Sequence, residues 1–535
     1  MAFRATDLPH RLDAEPGLVL PTLLRRRAET APDHVFVRTV AGEDVTYHQL
    51  EDRIRRWKTE LRRLGVGSGD RVMTLLPPSV DAVAVWMAAA RLRAVETPVN
   101  TALRGRFLAH VVTDGDPRCL ITDPDLLPVL DEIADDVALP AVMTPPGATD
   151  NPAVGGRAVP AVALDHPDDG DDHHPRPGDV ATMVYTSGTS GRSKGVVVPW
   201  AQEFATARWL MPVEGREHDV WYGPWAMFHV SGKVGLYSAA LLDGRLIIRN
   251  GFSTSAFWDD VRRFGVTSTM IVASTVAFLN RRPVSPADRD HSLRHVCAAP
   301  LPPDPAAFSA RFGVRLSTLF NMTETASPIS TGWDDVPAGS CGKLRPGVEA
   351  RIVDEDGTDV PVGEVGELLL RSSVPHENMA GYWRADAATV EAWRDLWFHT
   401  GDGVRADAEG NFYFVDRLKD TIRRGGENIS SAELEEAVTH HPLVRECAAV
   451  GMDTDWGDRE VKLFVVGEPG LDAARLAADL DTRLPRYMRP AAIAILPDLP
   501  RTHTARVRKA ELRAITDPPD WVRPARATAT TGDHR

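Results

Sequence analysis

The sequence predicts an α/β protein with mostly parallel sheets, followed by a smaller α+β domain towards the C-terminus. Short apolar runs such as RVMTLL at 71–76 and ATMVYTS at 181–187 indicate buried strands. Stretches with helical spacing separate such runs, as in DAVAVWMAAARLRA at 81–94. Strands that alternate with helices favour βαβ units, in which neighbouring strands are parallel. A chain of 535 residues is long enough for a large body and a smaller one.

The alternation continues for most of the first 320 residues. Further predicted strands are CLITD at 119–123, RLIIRN at 245–250, TSTMIVA at 267–273 and RLSTLF at 315–320. Residues 142–178 interrupt the pattern with many Pro, Gly and Asp residues, and His173 and His174 lie near their end. Two histidines among carboxylates fit a metal site or an exposed acidic linker. Their spacing is not that of ligands on one helix face, which favours the linker.

The second, smaller domain is predicted to begin near residue 416. FYFVD at 412–416 indicates a strand, and ISSAELEEAVTHH begins a helix. Strands at 446–452, 460–467 and 491–496 follow, with a helix near 472–483. The predicted organisation is therefore a large domain over 1–415, a small domain over 416–515 and a tail over 516–535. The tail is expected to be disordered because its Pro, Thr, Ala and charged residues show no periodicity.

Composition excludes several classes of protein. Asp and Glu number 75 against 61 Lys and Arg, and a net charge of −14 disfavours a protein that coats nucleic acid. Four widely separated cysteines exclude a disulfide scaffold, argue against a structural zinc site and favour a reducing cytoplasm. The N-terminal segment lacks the apolar core of a signal peptide, and no stretch has the ~20 apolar residues of a membrane span. We therefore expect a cytoplasmic protein that binds neither nucleic acid nor membrane.

The segment YTSGTSGRSKGVVV at 185–198 indicates a phosphate-binding loop. Glycines let backbone N–H groups approach an anion, hydroxyls donate to phosphate oxygens, and a lysine supplies a point charge. The Walker pattern does not fit because Ser193 stands where its second glycine belongs. A flexible Gly/Ser loop is the alternative interpretation. The candidate phosphate-binding residues are Thr186, Ser187, Gly188, Thr189, Ser190, Gly191 and Lys194.

YTSGTSGRSKG resembles the phosphate loop of the AMP-forming adenylating enzymes, which include acyl-CoA synthetases, peptide-synthetase adenylation domains and luciferases. Further segments match in order over roughly residues 20–515, and FNMTE and RRGGENIS are most similar to the crotonobetaine/carnitine-CoA ligase type. The resemblance implies a large N-terminal region of stacked α/β layers and a small mobile C-terminal domain. It also implies an ATP- and Mg²⁺-dependent reaction. A small-molecule acid is joined to AMP, pyrophosphate is released, and a thiol such as CoA, or an amine, accepts the activated group.

The resemblance assigns site residues in two segments of the large domain. AMFHVSG at 226–232 places His229 in the acyl pocket, although a histidine in an apolar stretch is often a packed core residue. LFNMTET at 319–325 places Phe320 beside the adenine, with Asn321 in place of a glycine. Thr323 is expected at the α-phosphate. Glu324 is expected to hold Mg²⁺, which prefers oxygen ligands.

Three later segments complete the nucleotide site that the resemblance implies. FHTGDGV at 398–404 supplies Asp402 for the ribose hydroxyls. VDRLKD at 415–420 supplies Arg417 as a second ribose or phosphate contact and Lys419 as the hinge. RRGGENIS at 423–430 supplies Gly426, whose lack of a side chain permits close backbone approach. Taken alone, each segment could be an ordinary turn or a charged face.

The sequence departs from the family pattern at the C-terminal catalytic lysine. The signature P-x-T-x-T-G-K corresponds to PRTHTAR at 500–506, where Ala505 replaces glycine and Arg506 replaces lysine. Arginine is a longer, planar cation than lysine. Three alternatives follow: Arg506 takes the role of the lysine, Lys509 reaches the site instead, or the first step does not need this cation.

The leading hypothesis is an ATP-dependent ligase that adenylates an acid and transfers it to CoA or another thiol. One alternative is a diazotase of secondary metabolism that activates nitrite, an oxyanion, for an aryl amine. The unusual Phe320, Asn321 and Arg506 are compatible with that reading. A second alternative, motivated by Arg506, is a nucleotide-binding pseudoenzyme that has lost turnover. The sequence leaves the acid, the acceptor and the oligomeric state open.

Overall fold

The structure is a computed structural model of the chain. It describes residues 4–147, 153–166, 170, 172–186, 192–211, 215–216, 218–280, 282–299, 301–302, 304–332, 337–354, 356–417, 421–425, 427–454, 459–500, 507 and 509–524. The α-helices are α1 Leu20–Thr30, α2 Tyr47–Arg63, α3 Val80–Arg91, α4 Gly105–Gly115, α5 Leu127–Asp131, α6 Trp200–Leu210, α7 Val230–Leu241, α8 Phe257–Phe264, α9 Ala273–Asn280, α10 Pro305–Phe312, α11 Asp386–Ala392, α12 Ser431–Thr439, α13 Ala473–Arg483 and α14 Lys509–Arg513.

Strands occur throughout the described chain. Up to residue 200 they are β1 Val35–Thr39, β2 Asp44–Thr46, β3 Arg71–Leu75, β4 Val95–Pro98, β5 Cys119–Thr122, β6 Ala141–Met143, β7 Ala153–Val154, β8 Arg157–Ala158, β9 Val180–Thr186 and β10 Lys194–Pro199. From there to residue 417 they are β11 Val220–Gly223, β12 Arg245–Ile248, β13 Ser268–Val272, β14 His295–Ala299, β15 Arg315–Ser317, β16 Leu319–Phe320, β17 Ile329–Ser330, β18 Lys343–Leu344, β19 Val348–Val353, β20 Gly366–Ser372, β21 Gly381–Tyr382, β22 Phe398–Ala406 and β23 Phe412–Arg417. The remainder are β24 Thr421–Arg424, β25 Glu427–Ser430, β26 Val444–Asp453, β27 Arg459–Gly467, β28 Ala492–Ile495 and β29 Trp521–Val522.

Two seven-stranded sheets dominate the first part of the chain. One has the strand order β15-β14-β13-β11-β12-β1-β2, and the other has the order β21-β10-β9-β4-β3-β5-β6. Neighbouring strands run parallel except at one edge of each sheet, where β2, and β10 with β21, are antiparallel. The predicted α/β class with mostly parallel sheets is confirmed. The antiparallel β9–β10 hairpin carries the segment predicted to bind phosphate.

Helix α3 is buried along its whole length and packs against strand β9. Each residue of this helix is buried, and its sequence VDAVAVWMAAAR is apolar on nearly all sides, as expected for a helix between layers. Its Trp86 ring stacks on Trp200 with centroids 5.4 Å apart, and Trp86 Nε1 donates to the carbonyl of Ala181 in β9. The helix thereby fixes the strand that leads into the candidate phosphate loop.

The segment RLSTLF does not form the single strand that the sequence predicts. Arg315–Ser317 pair with β14 in the first large sheet, whereas Leu319–Phe320 pair with β17 in a three-stranded antiparallel sheet. The change occurs at Thr318, whose N–H donates to Thr331 Oγ1 at 3.0 Å and whose carbonyl accepts from the Thr331 N–H. This pairing with a residue thirteen positions later draws the chain out of the first sheet.

The chain divides into two compact units. Met1–Thr186 and Ser193–Leu418 belong to one unit, and residues from Lys419 onward belong to the other. In the second unit, β26-β27-β28-β29 form a sheet. Buried residues on that sheet and on α14 share one apolar cluster, which includes Ala448, Phe464 and Leu512.

The predicted disordered tail needs correction at its beginning. Trp521 and Val522 form β29 and pair with Ile493 and Ala492 of β28. The guanidinium of Arg523 next to them makes two hydrogen bonds to the Asp481 carboxylate, at 2.8 and 2.7 Å. These backbone and charge contacts hold the chain on the edge of the sheet. Residues 525–535 lie outside the described part.

At residues 172–173 the acidic segment is not the exposed linker that the sequence predicts, whereas His174 is exposed. Asp172 accepts a hydrogen bond from Lys58 Nζ at 2.7 Å, and the Lys58 side chain is fully buried. His173 lies between Arg93 Nε, at 2.9 Å, and Asp179 Oδ2, at 3.0 Å. Hydrogen bonds from Lys58 and Arg93 of the large unit therefore fix this end of the segment.

In the described residues, no helix has both the length and the apolar character needed to cross a bilayer. The four cysteines are free thiols, as the sequence predicts. Burial raises the pKa of both Cys119 and Cys297 to about 12. These thiols are therefore protonated at neutral pH and are poor nucleophiles.

Candidate active site

The stem of the candidate phosphate loop is the β9–β10 hairpin. Thr186 and Lys194 lie opposite each other at its end. The carbonyl of Ser193 accepts a hydrogen bond from His110 Nε2 of α4 at 2.9 Å. Tyr185 Oη donates to Asp114 Oδ2 of the same helix at 2.6 Å, and burial followed by this contact raises the Tyr185 pKa. Both arms of the loop are thus anchored to α4, which fixes the place of Lys194.

Tyr382 connects Lys194 with Glu324. Tyr382 lies on β21, opposite Val196 of β10. The Lys194 ammonium lies 5.0 Å from the centroid of the Tyr382 ring, and Tyr382 Oη donates to Glu324 Oε1 at 3.0 Å. The structure therefore brings together two of the predicted site residues. The sequence interpretation missed Tyr382, although GYW at 381–383 is an aromatic pair behind a glycine.

The segment 321–327, which carries Glu324, is held by contacts along its length. Gln202 Nε2 of α6 donates to the carbonyl of Thr323 at 2.7 Å. The N–H of Met379 donates to the carbonyl of Glu324 at 2.9 Å. Asn321 Oδ1 accepts from the N–H of Ser327 at 2.7 Å. Asn321, which stands where the family has glycine, therefore caps the turn that follows Glu324.

Phe320 is mostly covered by protein. Its side chain belongs to a buried apolar cluster that includes Val196 and Val198 of β10, and 9% of the residue is exposed. Its backbone pairs with Ile329 of β17. The predicted contact between Phe320 and the adenine remains a prediction, and the small exposed fraction limits the area that this ring can offer.

His229 lies immediately before the first turn of α7 and is partly buried. Its ring contacts Phe228, with centroids 4.6 Å apart. Its N–H donates to the carbonyl of Ala226, and its own carbonyl accepts from the N–H of Gly232. A Cβ on Gly232 would lie 2.0 Å from the Ala226 carbonyl oxygen. The turn that presents His229 therefore requires glycine at 232.

Asp402 lies on β22 at the point where its pairing with β20 changes register. Gly401 adopts a φ of 68° there, and its N–H donates to Glu367 Oε1 at 3.0 Å. Asp402 is 2% exposed, and its N–H donates to Thr400 Oγ1. On the neighbouring strand β23, Arg417 is its direct partner in the ladder. The two residues that the resemblance assigns to the ribose thus lie opposite each other on adjacent strands.

Comparison with protein-family models decides which family this is. The model for the AMP-binding enzyme matches residues 24–383, and the model for the AMP-binding enzyme C-terminal domain matches residues 433–506. This chain belongs to the AMP-binding enzyme family. Its relatives are AMP-forming ligases, and the chain is an enzyme of this acyl-CoA synthetase-like type.

Two curated relatives of this AMP-binding enzyme are CoA ligases. Sulfoacetate–CoA ligase of Cupriavidus necator is 31% identical over 517 residues, which cover 94% of this chain and 99% of the relative. Crotonobetaine/carnitine–CoA ligase of Salmonella typhi is 29% identical over 493 residues, which cover 88% of this chain and 93% of the relative. The predicted resemblance to the adenylating enzymes is confirmed.

Two solved structures share the fold. The amide bond synthetase McbA of Marinactinospora thermotolerans has a TM-score of 0.80 and 25% identity, covering 92% of this chain and 99% of that one. A double mutant of o-succinylbenzoate CoA synthetase from Bacillus subtilis has a TM-score of 0.78 and 24% identity, covering 92% of this chain and 98% of that one. The fold of the large N-terminal domain and smaller C-terminal domain is therefore that of solved adenylating enzymes.

Several residues that the resemblance assigns to the AMP-binding site lie outside the described residues, and Arg417 is described by its backbone alone. Those outside are Ser187, Gly188, Thr189, Ser190, Gly191, Lys419, Gly426 and Arg506. Lys509, the alternative cation, is described. Its ammonium lies 2.6 Å from Glu435 Oε1 and 2.6 Å from Ser431 Oγ, both on α12.

A buried charge cluster connects β4, β9, α6 and α7. Lys233, one turn after His229 on α7, donates to Glu96 Oε2 at 2.9 Å, and both side chains are nearly inaccessible. Thr182 of β9 also donates to Glu96 Oε2, at 2.6 Å. Glu203 of α6 is fully buried, and burial raises its pKa to about 7 despite the opposing charge of Lys233. This cluster joins β9 to the helix that presents His229.

The donor chemistry around Glu324 fits Mg²⁺. A carboxylate that accepts one hydrogen bond from Tyr382 retains further lone pairs for a cation. Thr323 and Thr186 carry hydroxyl oxygens in the two segments that the resemblance places at the phosphates. Mg²⁺ prefers a few hard oxygen donors and keeps water and phosphate oxygens as its other ligands. Glu324 is therefore the residue that would hold the ion.

Proposed function

We propose that this AMP-binding enzyme uses Mg²⁺ and ATP to adenylate a small organic acid, and then transfers the acyl group to CoA. The observation that supports it most directly is the connection of Lys194, Tyr382 and Glu324 at the end of the β9–β10 hairpin. A cation and a carboxylate at a fixed separation suit a metal-bound polyphosphate. The curated relatives named above, both CoA ligases, support the acceptor.

In the first step, a carboxylate oxygen of the acid attacks the α-phosphorus of ATP. The bond between the α-phosphorus and the bridging oxygen breaks, and pyrophosphate leaves with its electron pair. We assign Lys194 and residues 186–191 to the phosphates, where they offset the charge that develops in the transition state. A bound Mg²⁺ on Glu324 would supply further positive charge. Thr323 is assigned to the α-phosphate, and Asp402 with Arg417 to the ribose.

In the second step, the sulfur of CoA attacks the acyl carbonyl of the adenylate. The bond from the acyl carbon to the AMP oxygen breaks, and the thiol proton is released to a base or to solvent. His229 is assigned to the acyl pocket because the turn at Gly232 fixes its position at the start of α7. We propose that Lys419 is the hinge between the two steps and that Gly426 approaches the site in one of them.

An amine acceptor is the second candidate. The amide bond synthetase from Marinactinospora thermotolerans has a TM-score of 0.80 to this chain at 25% identity. That likeness makes an acceptor nitrogen an alternative to sulfur, since either can attack the adenylate carbonyl. Neither the diazotase nor the pseudoenzyme alternative gains support from the relatives named above. Both alternatives can be tested in the same experiment.

The test is a screen for AMP release by the purified full-length protein. Acids of different size and charge, including sulfoacetate and crotonobetaine, are each offered with ATP and Mg²⁺. Each acid is combined with CoA, with an amine or with no acceptor, and nitrite is offered with an aryl amine. We expect AMP and a CoA thioester from at least one acid. AMP and an amide in the amine arm alone would favour the second candidate.

Two variants serve as inactive references in the screen. Lys194→Ala and Glu324→Ala are each expected to lower AMP formation by on the order of 10²–10³, because each removes charge stabilisation at the transferred phosphoryl group. AMP release from nitrite alone would support the diazotase. ATP binding without AMP from any arm would support the pseudoenzyme. Near wild-type turnover by both variants would mean that the nucleotide site is assigned to the wrong residues.

A further inference from the structure

The segment that carries Glu324 lies along a second segment, residues 377–382. The Glu324 carbonyl accepts from the N–H of Met379 at 2.9 Å, and Thr325 forms an antiparallel bridge with Asn378. The chain then reaches Tyr382, which donates to the Glu324 carboxylate. The position of Glu324 relative to Tyr382 therefore depends on how these two segments are held together.

A buried ion pair joins the same two segments. Arg345 follows β18, and one of its guanidinium nitrogens lies 2.8 Å from Glu377 Oε2. Both side chains are 1% exposed. Arg345 Nε donates to the carbonyl of Ala326 at 3.0 Å, two residues after Glu324. One planar guanidinium thus contacts the Glu324 segment through its Nε and the Tyr382 segment through its terminal nitrogen.

The energetics of this ion pair favour a role in positioning the two segments over a role in stabilising the protein. Removing two charges from water costs several kcal/mol per ion, and apolar replacements of buried ion pairs are often neutral or stabilising. Burial raises the pKa of Glu377 although Arg345 opposes the shift, so the carboxylate gains its charge against a desolvation cost. An arginine fork offers donors in fixed directions, which an apolar contact does not provide.

We propose that the Arg345–Glu377 pair is a positioning device for Glu324, which sets the contact between Glu324 and Tyr382 and thereby the affinity for metal-bound ATP. The proposal rests on the proposed role of Glu324 as the ligand of Mg²⁺. Arg345 and Glu377 do not touch the nucleotide in this scheme. They act through the backbone of Ala326 and through the segment 377–382. Partners that orient a metal ligand typically contribute about 10- to 100-fold to metal affinity.

The test compares Arg345→Met, Glu377→Leu and the double variant with the wild type. Calorimetry gives the Kd for ATP in the presence of Mg²⁺ and in the presence of a chelator. The Kd ratio, which is the chelator value divided by the Mg²⁺ value, measures the metal-dependent part of ATP binding. Thermal unfolding is measured on the same samples. Arg345→Met is expected to lower the unfolding midpoint and to reduce the Kd ratio about tenfold. The double variant should regain the midpoint, since no unpaired charge remains, while the ratio stays reduced.

Two references make the result decisive. Glu324→Gln should abolish the metal-dependent part of ATP binding. Glu51→Gln breaks another buried pair, in which Glu51 Oε2 lies 2.7 Å from Arg91, and should lower the midpoint without changing the ratio.

A double variant that regains both the unfolding midpoint and the Kd ratio of the wild type would overturn the proposal, because the pair would then be merely structural. A wild-type ratio in Arg345→Met, with an abolished one in Glu324→Gln, would overturn it and leave the proposed function intact. A wild-type ratio in Glu324→Gln would overturn the proposal together with the assignment of Glu324 as the ligand of Mg²⁺, while the screen for AMP release still decides the proposed function.

Discussion

Tyr382 holds together two side chains of opposite charge that lie far apart in the sequence. Its ring faces the Lys194 ammonium at 5.0 Å, and its hydroxyl donates to Glu324 at 3.0 Å. A cation over an aromatic ring and a hydrogen bond to a carboxylate are both directional contacts. Tyr382 therefore sets the distance between Lys194 and Glu324 without carrying a charge itself.

Tyr382→Phe separates these two contacts, because phenylalanine keeps the ring and loses the hydroxyl. A hydrogen bond to a charged group contributes roughly 1.5–3 kcal/mol, so kcat/KM for ATP should fall about tenfold or more. Tyr413→Phe is the matched control. Its hydroxyl donates to Asp407 at 2.9 Å near the turn of the β22–β23 hairpin, whereas Asp402 and Arg417 pair at the other end of that hairpin, and the same deletion there should leave kcat/KM unchanged. Equal kinetics for the two variants would refute the assignment of Tyr382.

The contacts of Lys509 bear on the missing catalytic lysine. Its ammonium is paired with Glu435 and Ser431 on α12, which disfavours Lys509 as the substitute cation and leaves Arg506, or a step without this cation. We expect Arg506→Ala to remove most adenylation of an accepted acid. Lys509→Ala should lower the unfolding midpoint of the protein only modestly, because ion pairs near the surface contribute little to stability. It should leave the rate of adenylation within about twofold of the wild type. Loss of AMP formation in a folded Lys509→Ala variant would reverse this assignment, and normal rates in both would show that the step needs no such cation.

The elements around the site differ in how far the sequence could predict them. The β9–β10 stem follows from local signals, because an apolar strand precedes a run of Gly, Ser and Thr and another apolar strand follows it. Tyr382 gave no such signal, since its role arises from pairing with β10, almost two hundred residues earlier. RLSTLF has uniform strand character, and the pairing of Thr318 with Thr331 that splits it is equally non-local. Local composition predicts elements, and long-range pairing places them.

The turn before α7 provides a prediction for an element. In Gly232→Ala, the new Cβ would meet the Ala226 carbonyl oxygen at 2.0 Å, so the turn that presents His229 must shift. Overpacking of this kind costs about 1–3 kcal/mol, and the KM for the accepted acid should rise with the displacement of His229. Gly235→Ala in the same helix places its Cβ 3.5 Å from Leu246, an ordinary contact, and should stabilise the protein by up to about 1 kcal/mol. Thermal unfolding and acid titrations compare the two, and an unchanged KM in Gly232→Ala would separate His229 from the acyl pocket.

At the scale of the whole molecule, the sequence predicted the class of fold and the family more fully than the details of the site. Alternating elements gave the parallel sheets, and the ordered motifs gave the adenylating family. The beginning of the tail was predicted poorly because β29 has two residues and is stabilised by the edge of β28 and by the pair of Arg523 with Asp481. A strand this short leaves no periodic signal.

The buried cluster of Lys233, Glu96 and Glu203 makes the stability of the whole protein depend on pH. Burial, with a smaller contribution from Glu96, raises the Glu203 pKa from 4.5 to about 7, although Lys233 opposes the shift. The native state therefore holds a proton on Glu203 at pH values where the unfolded chain has released it. Between about pH 4.5 and 7 the native state binds more protons, so the free energy of unfolding falls as pH rises and stays low above 7.

Glu203→Gln removes the titrating group while keeping its size. We expect the wild-type unfolding midpoint to drop by several degrees from about pH 5.5 to about pH 8, and the variant to show a flatter profile with a higher midpoint at the alkaline end. Glu51→Gln is the control of opposite sign. Burial acts to raise the Glu51 pKa, but hydrogen bonds from Arg91 and Arg55 lower it overall, so its contribution is lost as pH falls. Parallel pH profiles for the wild type and Glu203→Gln would show that Glu203 is ionised in the native protein, with Lys233 shared between two carboxylates.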